Sequence, residues 1–471
     1  MTKSQRRVLL VVPRPIRDLE GHALVAYHLK RRFDHDVHLW TGVGTDRQML
    51  DYKPDMVVLD VVGFEDRLQE ARLAKNAGAK VCVLPTAGVF PDEKGLLRLA
   101  GAFNGGCELV DCYLAWGKVV ADAVVGQRLM SKERVEMTGC PRFDFYADES
   151  IAGLQDRSTF LQCMGIRDVE APVVLWSTST SNYNRRSGHL ERYIQHLTRN
   201  NGFSESDVRV EIEDERRQLE THSRIVLELA DRSPEWNFLV KVHPLENRRF
   251  YTDWARGARN IFIAPNIPIK EFVFHCDVLL QRGCTTAIEF WTQGKPVLEL
   301  QVGEFQTVWA PLEQAQGNHS VFTVDETARV IADYLEGKPV PSSQREARNF
   351  YLEKYYHRVD GKAARRCAER IHREITGETY TDAHQKRTCE MFRAIEDRSR
   401  GAYKRDLRHT VRRTLGIAPD RTLRPWRRSF WSASVGIDQK WLATLYDRYD
   451  RAMNHSEGRN ADNVPIRSAG C

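Results

Sequence analysis

Two segments of the sequence carry side chains that can bind a phosphate group. The first, Lys241-Val242-His243-Pro244-Leu245-Glu246, follows an apolar run that begins at Asn237 and predicts a strand. The carboxyl ends of parallel strands face the ligand crevice of a sheet, so His243 is placed to donate a hydrogen bond to a phosphate oxygen. Pro244 stiffens the exit and keeps the imidazole aimed. The other interpretation is a buried histidine that bonds a backbone carbonyl.

The second segment is Gln281-Arg282-Gly283-Cys284-Thr285-Thr286-Ala287-Ile288-Glu289, which predicts a strand end, a tight turn at Gly283 and a helix. The start of a helix offers free N–H groups and a positive dipole end, which suit an anion. Thr285 and Thr286 add hydroxyl donors there, and Glu289 is placed to accept hydrogen bonds from ribose hydroxyls. An ordinary capped helix explains the same residues without a ligand.

The elements that must position these segments follow from strand–helix alternation, which predicts a parallel sheet. Predicted strands run from Arg7–Val12 to Val321–Val324, and the first helix is predicted from Glu20. A polar connector divides the alternation into two blocks. We therefore predict an α/β protein with two facing Rossmann-like domains, residues 1–150 and 151–376, and a basic helical extension at 377–471. Both phosphate-competent segments fall at strand ends of the second block.

Composition narrows the class of protein. The 471 residues are 42% hydrophobic and 28% charged, which is enough to build cores and excludes a disordered chain. The longest apolar run, residues 8–12, is far too short to span a bilayer, and no secretory signal follows Met1. The ten cysteines form no Cys-x-x-Cys pair, so we expect reduced thiols and a cytoplasmic protein. The net charge of +6 is too mild to indicate nucleic-acid binding.

The two segments, together with Gly294-Lys295-Pro296-Val297, resemble the donor-binding half of bacterial surface-carbohydrate biosynthesis proteins. Trp116-Gly117 and Thr138-Gly139-Cys140-Pro141-Arg142-Phe143-Asp144 match the segment that leaves the first domain in that family. Tyr355-Tyr356 and Asp360-Gly361-Lys362-Ala363 resemble its closing helix. The resemblance covers roughly residues 5–376. It is to the GT-B group that includes capsule Kdo transferases, bacterial sialyltransferases and glycerophosphotransferases.

The resemblance implies which residues bind the donor. In those enzymes a His-Pro pair and a Ser/Thr pair hold the phosphate of a cytidine-nucleotide donor, so His243, Thr285 and Thr286 would contact the donor phosphate. Cys284 stands where serine is usual, which removes one hydroxyl donor. The predicted donor-binding set is His243, Pro244, Glu246, Gly283, Cys284, Thr285, Thr286 and Glu289. The resemblance implies transfer without a metal or resident cofactor, and no Asp-x-Asp pair sits at a convincing strand end.

The resemblance also implies a general base in the first domain, where bacterial sialyltransferases carry an acidic pair before glycine. Asp92-Glu93-Lys94-Gly95 follows a predicted strand at the matching edge of the sheet. Asp92 or Glu93 would remove the proton of the acceptor hydroxyl. Lys94 interrupts the usual pattern, and an exposed acidic loop that caps the next helix is the alternative.

The implied function is the transfer of a sugar from a nucleotide-sugar donor, with CMP-linked Kdo or a CMP-linked nonulosonate favoured, to a surface polysaccharide or glycolipid acceptor. The alternatives are an enzyme similar to UDP-N-acetylglucosamine 2-epimerase, a CDP-glycerol-type glycerophosphotransferase and a non-catalytic nucleotide-binding paralogue. Against the epimerase, Pro13-Arg14-Pro15 lacks the glycine-threonine-arginine start of those enzymes.

The basic segment 401–431 carries a local excess of positive charge together with Trp426, Phe430 and Trp431. This composition is typical of a segment that lies on an anionic membrane surface, which would make the protein peripheral on the inner face of the membrane. A helical arm that packs across the domains is the alternative. Without a recognition motif, a nucleic-acid partner is not expected.

Overall fold

The computed structural model describes residues 5–42, 44–87, 93–186, 189–201, 204–301, 312–377, 381–396, 437 and 439–461. Its two parallel six-stranded sheets confirm the predicted fold class. The strands are short apolar runs rich in β-branched residues, and six of the twelve are buried over their whole length because helices cover both faces of each sheet. The described helices include none with the length and apolar content that crossing a bilayer requires.

The first sheet has the order β2-β1-β3-β4-β5-β6. Its elements are β1 Arg7–Val11, α1 Pro15–Phe33, β2 Asp36–Trp40, α2 Thr45–Tyr52, β3 Met56–Leu59, α3 Glu65–Asn76, β4 Lys80–Val83, α4 Glu93–Leu99, β5 Cys112–Ala115, α5 Lys118–Gly126 and β6 Val135–Met137. The first helix begins at Pro15, five residues before the predicted start at Glu20, because proline is favoured in the first turn of a helix.

Three short helices lead to the second sheet, which has the order β12-β11-β10-β7-β8-β9. The elements are α6 Asp144–Ala147, α7 Glu149–Ala152, α8 Arg157–Cys163, β7 Val173–Ser177, α9 Leu190–Asn201, α10 Glu205–Arg232, β8 Asn237–Lys241, α11 Arg248–Trp254, β9 Ile261–Ile263, α12 Ile269–His275, β10 Val278–Gln281, α13 Thr286–Thr292, β11 Val297–Leu300, β12 His319–Val321, α14 Val324–Leu335 and α15 Ser342–Tyr356. The strand predicted at 321–324 is wrong beyond Val321, because the Thr323 hydroxyl caps α14 by accepting from the Glu326 N–H at 3.1 Å.

Strand order in each sheet reverses at one point, and ligands of open α/β sheets bind outside the strand ends there. In the first sheet the reversal lies between β1 and β3, and in the second it lies between β7 and β10. The carboxyl edges of the two sheets face each other. The evidence is the hydrogen bond between Arg142, which follows β6, and Glu289 of α13. The two reversal points therefore open on one cleft.

Four other segments carried the resemblance, and they meet at the joint between the two domains. They are residues 116–117, 138–144, 355–356 and 360–363. Asp144 accepts hydrogen bonds from the N–H groups of Ala363 and Ala364 at 2.9 and 2.7 Å, and so caps helix α16, Ala363–Thr376. Gly117 is required where the end of α15 crosses it, because an added Cβ would lie 2.4 Å from the carbonyl carbon of Tyr355. Residues of the first domain thus contact the end of α15 and the start of α16 directly, although they are more than 200 positions apart in the sequence.

The chain returns to the first domain after the second sheet. Helix α16 packs against α1 and β5, and a helix over 382–396 (α17) donates from Gln385 Nε2 to Asp55 at 2.9 Å. Helix α18, Gln439–Ala461, packs on α1 through buried Leu442, Leu445 and Tyr449. The first domain is thus completed by the end of the described chain.

Candidate functional site

The reversal point of the second sheet brings together three strand ends. Ser177 ends β7, and its Oγ lies 3.5 Å from Thr286 Oγ1 and 3.9 Å from Cys284 Sγ, both in the turn after β10. His243 follows β8, the other neighbour of β7, and its backbone N–H donates to Thr178 Oγ1 at 2.9 Å. The two predicted segments therefore lie at one crevice, as the sequence predicted.

The ring of His243 is held in one tautomer. The Leu245 N–H donates to His243 Nδ1 at 3.3 Å, so Nδ1 carries no proton and Nε2 carries the N–H of the neutral ring. Burial, and then the positive charges of Lys241, Arg17, Arg14 and Arg185, lower the pKa of His243 to about 3. The imidazole is therefore neutral at physiological pH, and its Nε2–H can donate a hydrogen bond to a phosphate oxygen.

Pro244 and Glu246 support this loop. Pro244 is half-buried directly after His243. Glu246 is buried; its Oε1 accepts from the Thr180 N–H at 2.7 Å and its Oε2 accepts from the Tyr251 hydroxyl. Desolvation raises the pKa of Glu246 to about 7. These contacts make Glu246 a positioning residue that ties the loop after β7 to the loop after β8, while its predicted contact with the donor stays a prediction.

The turn after β10 is held by a hydrogen bond to the neighbouring strand β11. Gly283 has φ +57°, and its N–H donates to Glu299 Oε1 at 2.7 Å. The N–H of Ala287 bonds the Cys284 carbonyl at 3.2 Å and the N–H of Ile288 bonds that of Thr285 at 3.1 Å. The exposed hydroxyl of Thr285 caps no N–H group of the helix, which favours the predicted role of Thr285 in binding phosphate.

A charged bridge crosses the cleft, and the sequence analysis missed it. Arg142 Nε donates to Glu289 Oε1 at 3.1 Å, and Arg142 Nη1 donates to Asp18 Oδ1 at 2.9 Å. Arg17 forms a bidentate pair with Asp18 at 2.9 Å for both bonds. Burial would raise the pKa of Asp18, but the two guanidinium groups outweigh it and hold the pKa low. Glu289, predicted to bind ribose, thus contacts the other domain.

Positive charge outweighs negative charge around this bridge. Arg14, Arg17 and Arg142 come from the first domain, and Lys241 and Arg185 come from the second. Burial lowers the pKa of Lys241 to about 8 although Glu289 opposes the shift, and burial together with Arg17 lowers the pKa of Arg14. Arg17 and Arg142 both lower the pKa of Arg14, and a bound anion would relieve this repulsion. Of these residues, Lys241 and Arg142 stood in segments that carried the resemblance, and Arg14 was named only as a departure from the start of the epimerases.

The predicted general base is only partly described. Asp92 lies outside the described residues. Glu93 is the exposed first residue of α4, and its Oε1 accepts from Gln127 Nε2 at 3.0 Å. The base assignment to Asp92 or Glu93 therefore stays a prediction, and so does membrane contact through 401–431, which also lies outside the described residues.

Among the described residues, neither a metal site nor the open hollow on α15 competes with the cleft as the candidate site. Within the described ranges, no cluster of three or more histidine, cysteine or acidic side chains has the arrangement of a metal site. An open hollow of about 430 Å³ is lined by Asn349, Leu352, Glu353, His357, Arg358 and Val359. It belongs to α15 and the following loop and includes none of the strand-end residues, so we place the candidate site at the cleft.

Comparison with solved structures finds the same fold. A protein assigned as a UDP-N-acetylglucosamine 2-epimerase from Listeria monocytogenes superposes with a TM-score of 0.50 and 12% identity, covering 80% of this chain and 98% of that one. MnaA of S. aureus with UDP gives 0.50 and 12%, covering 80% and 99%. The wall teichoic acid polymerase TagF, as a variant soaked with CDPG, gives 0.50 and 10%, covering 80% and 90%. At such low identity these likenesses establish the two-domain GT-B-like fold. No protein-family model and no curated protein sequence matches the chain.

Proposed function

We propose that this protein is an enzyme that transfers a sugar from a nucleotide-linked donor to a surface polysaccharide or glycolipid acceptor. One observation carries the proposal. The support is that His243, with its Nε2–H donor, and Thr286 both adjoin the end of β7, that Thr285 is exposed next to Thr286, and that Arg14 and Arg17 of the first domain lower the pKa of His243. Neutral donors on one side and cations on the other match a phosphate that is held and then released with increased charge.

The residues of the chain suggest how the transfer proceeds. His243 and the hydroxyls at the start of α13 hold the donor phosphate, and Glu289 accepts from a ribose hydroxyl after exchanging its bond with Arg142. The freed Arg142, with Arg14 and Arg17, faces the charge that develops on the leaving phosphate. Because these groups supply the countercharge, we propose transfer without a metal ion or resident cofactor.

The choice of donor rests on the sequence resemblance, which favours CMP-linked Kdo or a CMP-linked nonulosonate. The rival activities are epimerisation of a UDP-sugar and transfer of glycerophosphate from a CDP-linked donor. They use the same crevice and differ in the nucleotide and in what is transferred. Binding of the free nucleotides therefore tests the site first and the donor class second.

Calorimetry with CMP, CDP and UDP, on the wild type and on His243→Ala, is the direct test. We expect one cytidine nucleotide to bind best and His243→Ala to weaken it by about tenfold or more, since a hydrogen bond to a charged group contributes about 1.5–3 kcal/mol. His319→Ala is the matched control, because His319 begins β12 at the opposite edge of the same sheet. If no nucleotide binds, or if His243→Ala binds as the wild type does, the site assignment is wrong.

We propose further that the protein is cytoplasmic and that residues 401–431 hold it at the anionic inner face of a membrane. The support is the composition of the segment, since each Lys or Arg near such a surface contributes about 1 kcal/mol. The segment lies between α17 and α18, which both pack on the first domain, so a membrane contact would orient the acceptor-side domain.

Co-sedimentation with vesicles tests the membrane contact. The full chain should pellet with anionic but not with neutral vesicles, and less so at high salt. A triple replacement by glutamine of Arg424, Arg427 and Arg428 should reduce pelleting while leaving the folded helices intact. Truncation is unsuitable, because it would remove α18 from the core. Equal pelleting of the triple variant and the wild type would refute the contact.

A further inference from the structure

A small cavity lies in the first domain beside the charged bridge, whose residues Asp18 and Arg142 are part of its lining. Its volume is about 10 Å³, and its lining includes Asp18, His22, Pro85, Trp116 and Arg142. The lining residues come from α1 and from the loops after β4, β5 and β6, so the cavity opens toward the cleft side of the sheet. Its volume is that of roughly one water-sized oxygen.

Two buried polar atoms in the cavity lining are unsatisfied. His22 and Trp116 are 5% and 3% exposed, and neither His22 Nε2 nor Trp116 Nε1 has a hydrogen-bond partner among the described residues. Buried polar groups are almost always hydrogen-bonded, so two unsatisfied atoms on residues that line one cavity make it a candidate site for a polar oxygen. The indole N–H can donate to such an oxygen.

The tautomer of His22 is fixed by its own helix. His22 Nδ1 lies 2.9 Å from the carbonyl oxygen of Asp18, and a carbonyl can only accept. Nδ1 therefore carries the proton, and Nε2 presents a lone pair to the oxygen that the cavity would hold. An oxygen between Trp116 Nε1 and His22 Nε2 would accept a hydrogen bond from the first and donate its own hydrogen to the second.

We propose that this cavity binds the reacting hydroxyl of the acceptor, or a water in its place, and that His22 Nε2 accepts its proton. The inference rests on the proposed transfer function and names His22 as the proton acceptor in place of Asp92 or Glu93, which the sequence resemblance implied. The acceptor O–H proton passes to Nε2, and the oxygen uses the freed electron pair to bond the anomeric carbon. The bond from that carbon to the donor phosphate oxygen breaks, and its electron pair leaves with the nucleotide. The imidazolium then returns its proton to solvent.

The charges around His22 suit both stages of this step. Burial lowers the pKa of His22, so the ring is neutral before the reaction. The negative charges of Asp18 on α1 and Asp60 after β3 oppose that shift, so they stabilise the imidazolium once it forms. Arg17 on α1 acts in the opposite sense, and Arg142 after β6 lines the cavity. Because Arg142 also bonds Glu289, the oxygen site adjoins the donor crevice.

The functional test compares His22→Asn with His28→Asn. Asparagine can keep the hydrogen bond to the Asp18 carbonyl but supplies no base, and His28 is a second buried histidine of the same helix that does not line the cavity. Release of CMP or UDP from CMP-Kdo, CMP-N-acetylneuraminate and UDP-N-acetylglucosamine is followed by ³¹P NMR, with water as the acceptor. We expect His22→Asn to slow release about 100-fold or more without changing nucleotide affinity, and His28→Asn to leave release unchanged.

The pH dependence separates a base from a merely structural histidine. Wild-type release should fall as the pH drops below the lowered pKa of His22, and His22→Asn should lose that limb. Unchanged release by His22→Asn, or an unchanged acidic limb, would overturn the assignment. The ¹⁵N NMR tautomer of His22 in the wild type decides independently of any activity: a ring protonated at Nε2 excludes the base. Absence of nucleotide binding would instead refute the proposed function while the tautomer measurement still stands.

Discussion

The two faces of the cleft each present a histidine, and the two rings are held in opposite ways. His243 of the second domain accepts a hydrogen bond at Nδ1 and keeps the N–H at Nε2, whereas His22 of the first domain donates from Nδ1 and keeps a lone pair at Nε2. One ring is thus a donor and the other an acceptor, although burial leaves both neutral. The direction of one local hydrogen bond decides which chemistry a buried imidazole can perform.

The carboxyl groups that support the two faces differ in their state of ionisation. Asp18 of the first domain is held ionised by Arg17 and Arg142. In the second domain, Glu215 on α10 accepts from the N–H groups of Asn182 and Tyr183 at 2.7 and 2.9 Å, and burial raises the pKa of Glu215 to about 8. The first face therefore depends on charge pairing and the second on a carboxyl that is neutral over much of the physiological range.

The largest expected effect concerns the charged bridge. Arg142→Met leaves Asp18 and Glu289 buried without their shared partner, which should cost about 3–5 kcal/mol in the free energy of unfolding measured with urea. Arg17→Met is the control, because Asp18 then still bonds Arg142 at 2.9 Å. Equal losses in the two variants would show that the bridge is not what distinguishes the first-domain face.

A second variant tests whether the first domain depends on the end of the chain. Tyr449 of α18 is fully buried and lies 5.4 Å from the Tyr27 ring of α1. Tyr449→Ala should lower the free energy of unfolding by about 3 kcal/mol, because it opens a cavity in that core. Trp441→Ala, at a 37% exposed position of the same helix, should cost much less. Nucleotide affinity of the second domain should change in neither variant, and a large change would contradict the separation.

Glu215 of the second domain should contribute a pH dependence to the free energy of unfolding. Its pKa is raised from 4.5 to about 8, so its contribution is fully present below about pH 4.5 and is lost as the pH rises through 8. Relative to Glu215→Gln, the wild type should lose about 1 kcal/mol per pH unit between pH 5 and 7, measured by thermal unfolding. Glu213 is exposed on the same helix and pairs with Arg216. Relative to Glu213→Gln, the wild type should therefore show no such loss between pH 5 and 7. Parallel curves for the wild type and Glu215→Gln would refute this.

The smallest expected effect concerns one hydroxyl at the donor crevice. Thr285→Val removes the exposed hydroxyl at the start of α13 and should weaken binding of the preferred nucleotide by about fivefold, or about 1 kcal/mol. Thr285→Ser keeps the hydroxyl and should bind as the wild type does in calorimetry. If the valine variant also binds normally, phosphate is held by other groups on this face.

The sequence predicted the residues of the second-domain face but not those of the first-domain face, and the reason is physical. His243 and Thr285 each lie in one contiguous strand–turn pattern, so local sequence was sufficient to place them at one crevice. His22 and Asp18 on α1 meet Trp116 and Arg142 only because this helix and two separate loops converge, and no local pattern predicts that convergence.

The same limit applies to the fold. Alternation of apolar runs predicted the two sheets, and the misplaced strand at 321–324 arose because the apolar residues Val321 and Val324 lie on either side of a threonine cap. The packing of α18 did carry a local signal. Leu442, Leu445, Tyr449 and Ala452 recur at three- and four-residue intervals, which is typical of a helix with one buried face.

Covering of α1 by α16 and α18 has a consequence for synthesis. The ribosome completes the first sheet long before it makes residues 363–376 and 439–461, so the nascent first domain must expose the apolar face of α1 while the whole second domain is translated. Domains generally fold in the order of their synthesis, and exposed apolar surface favours aggregation and chaperone binding. Here the first domain is the last to be completed, and premature termination would leave an intact second domain joined to an unfinished first one.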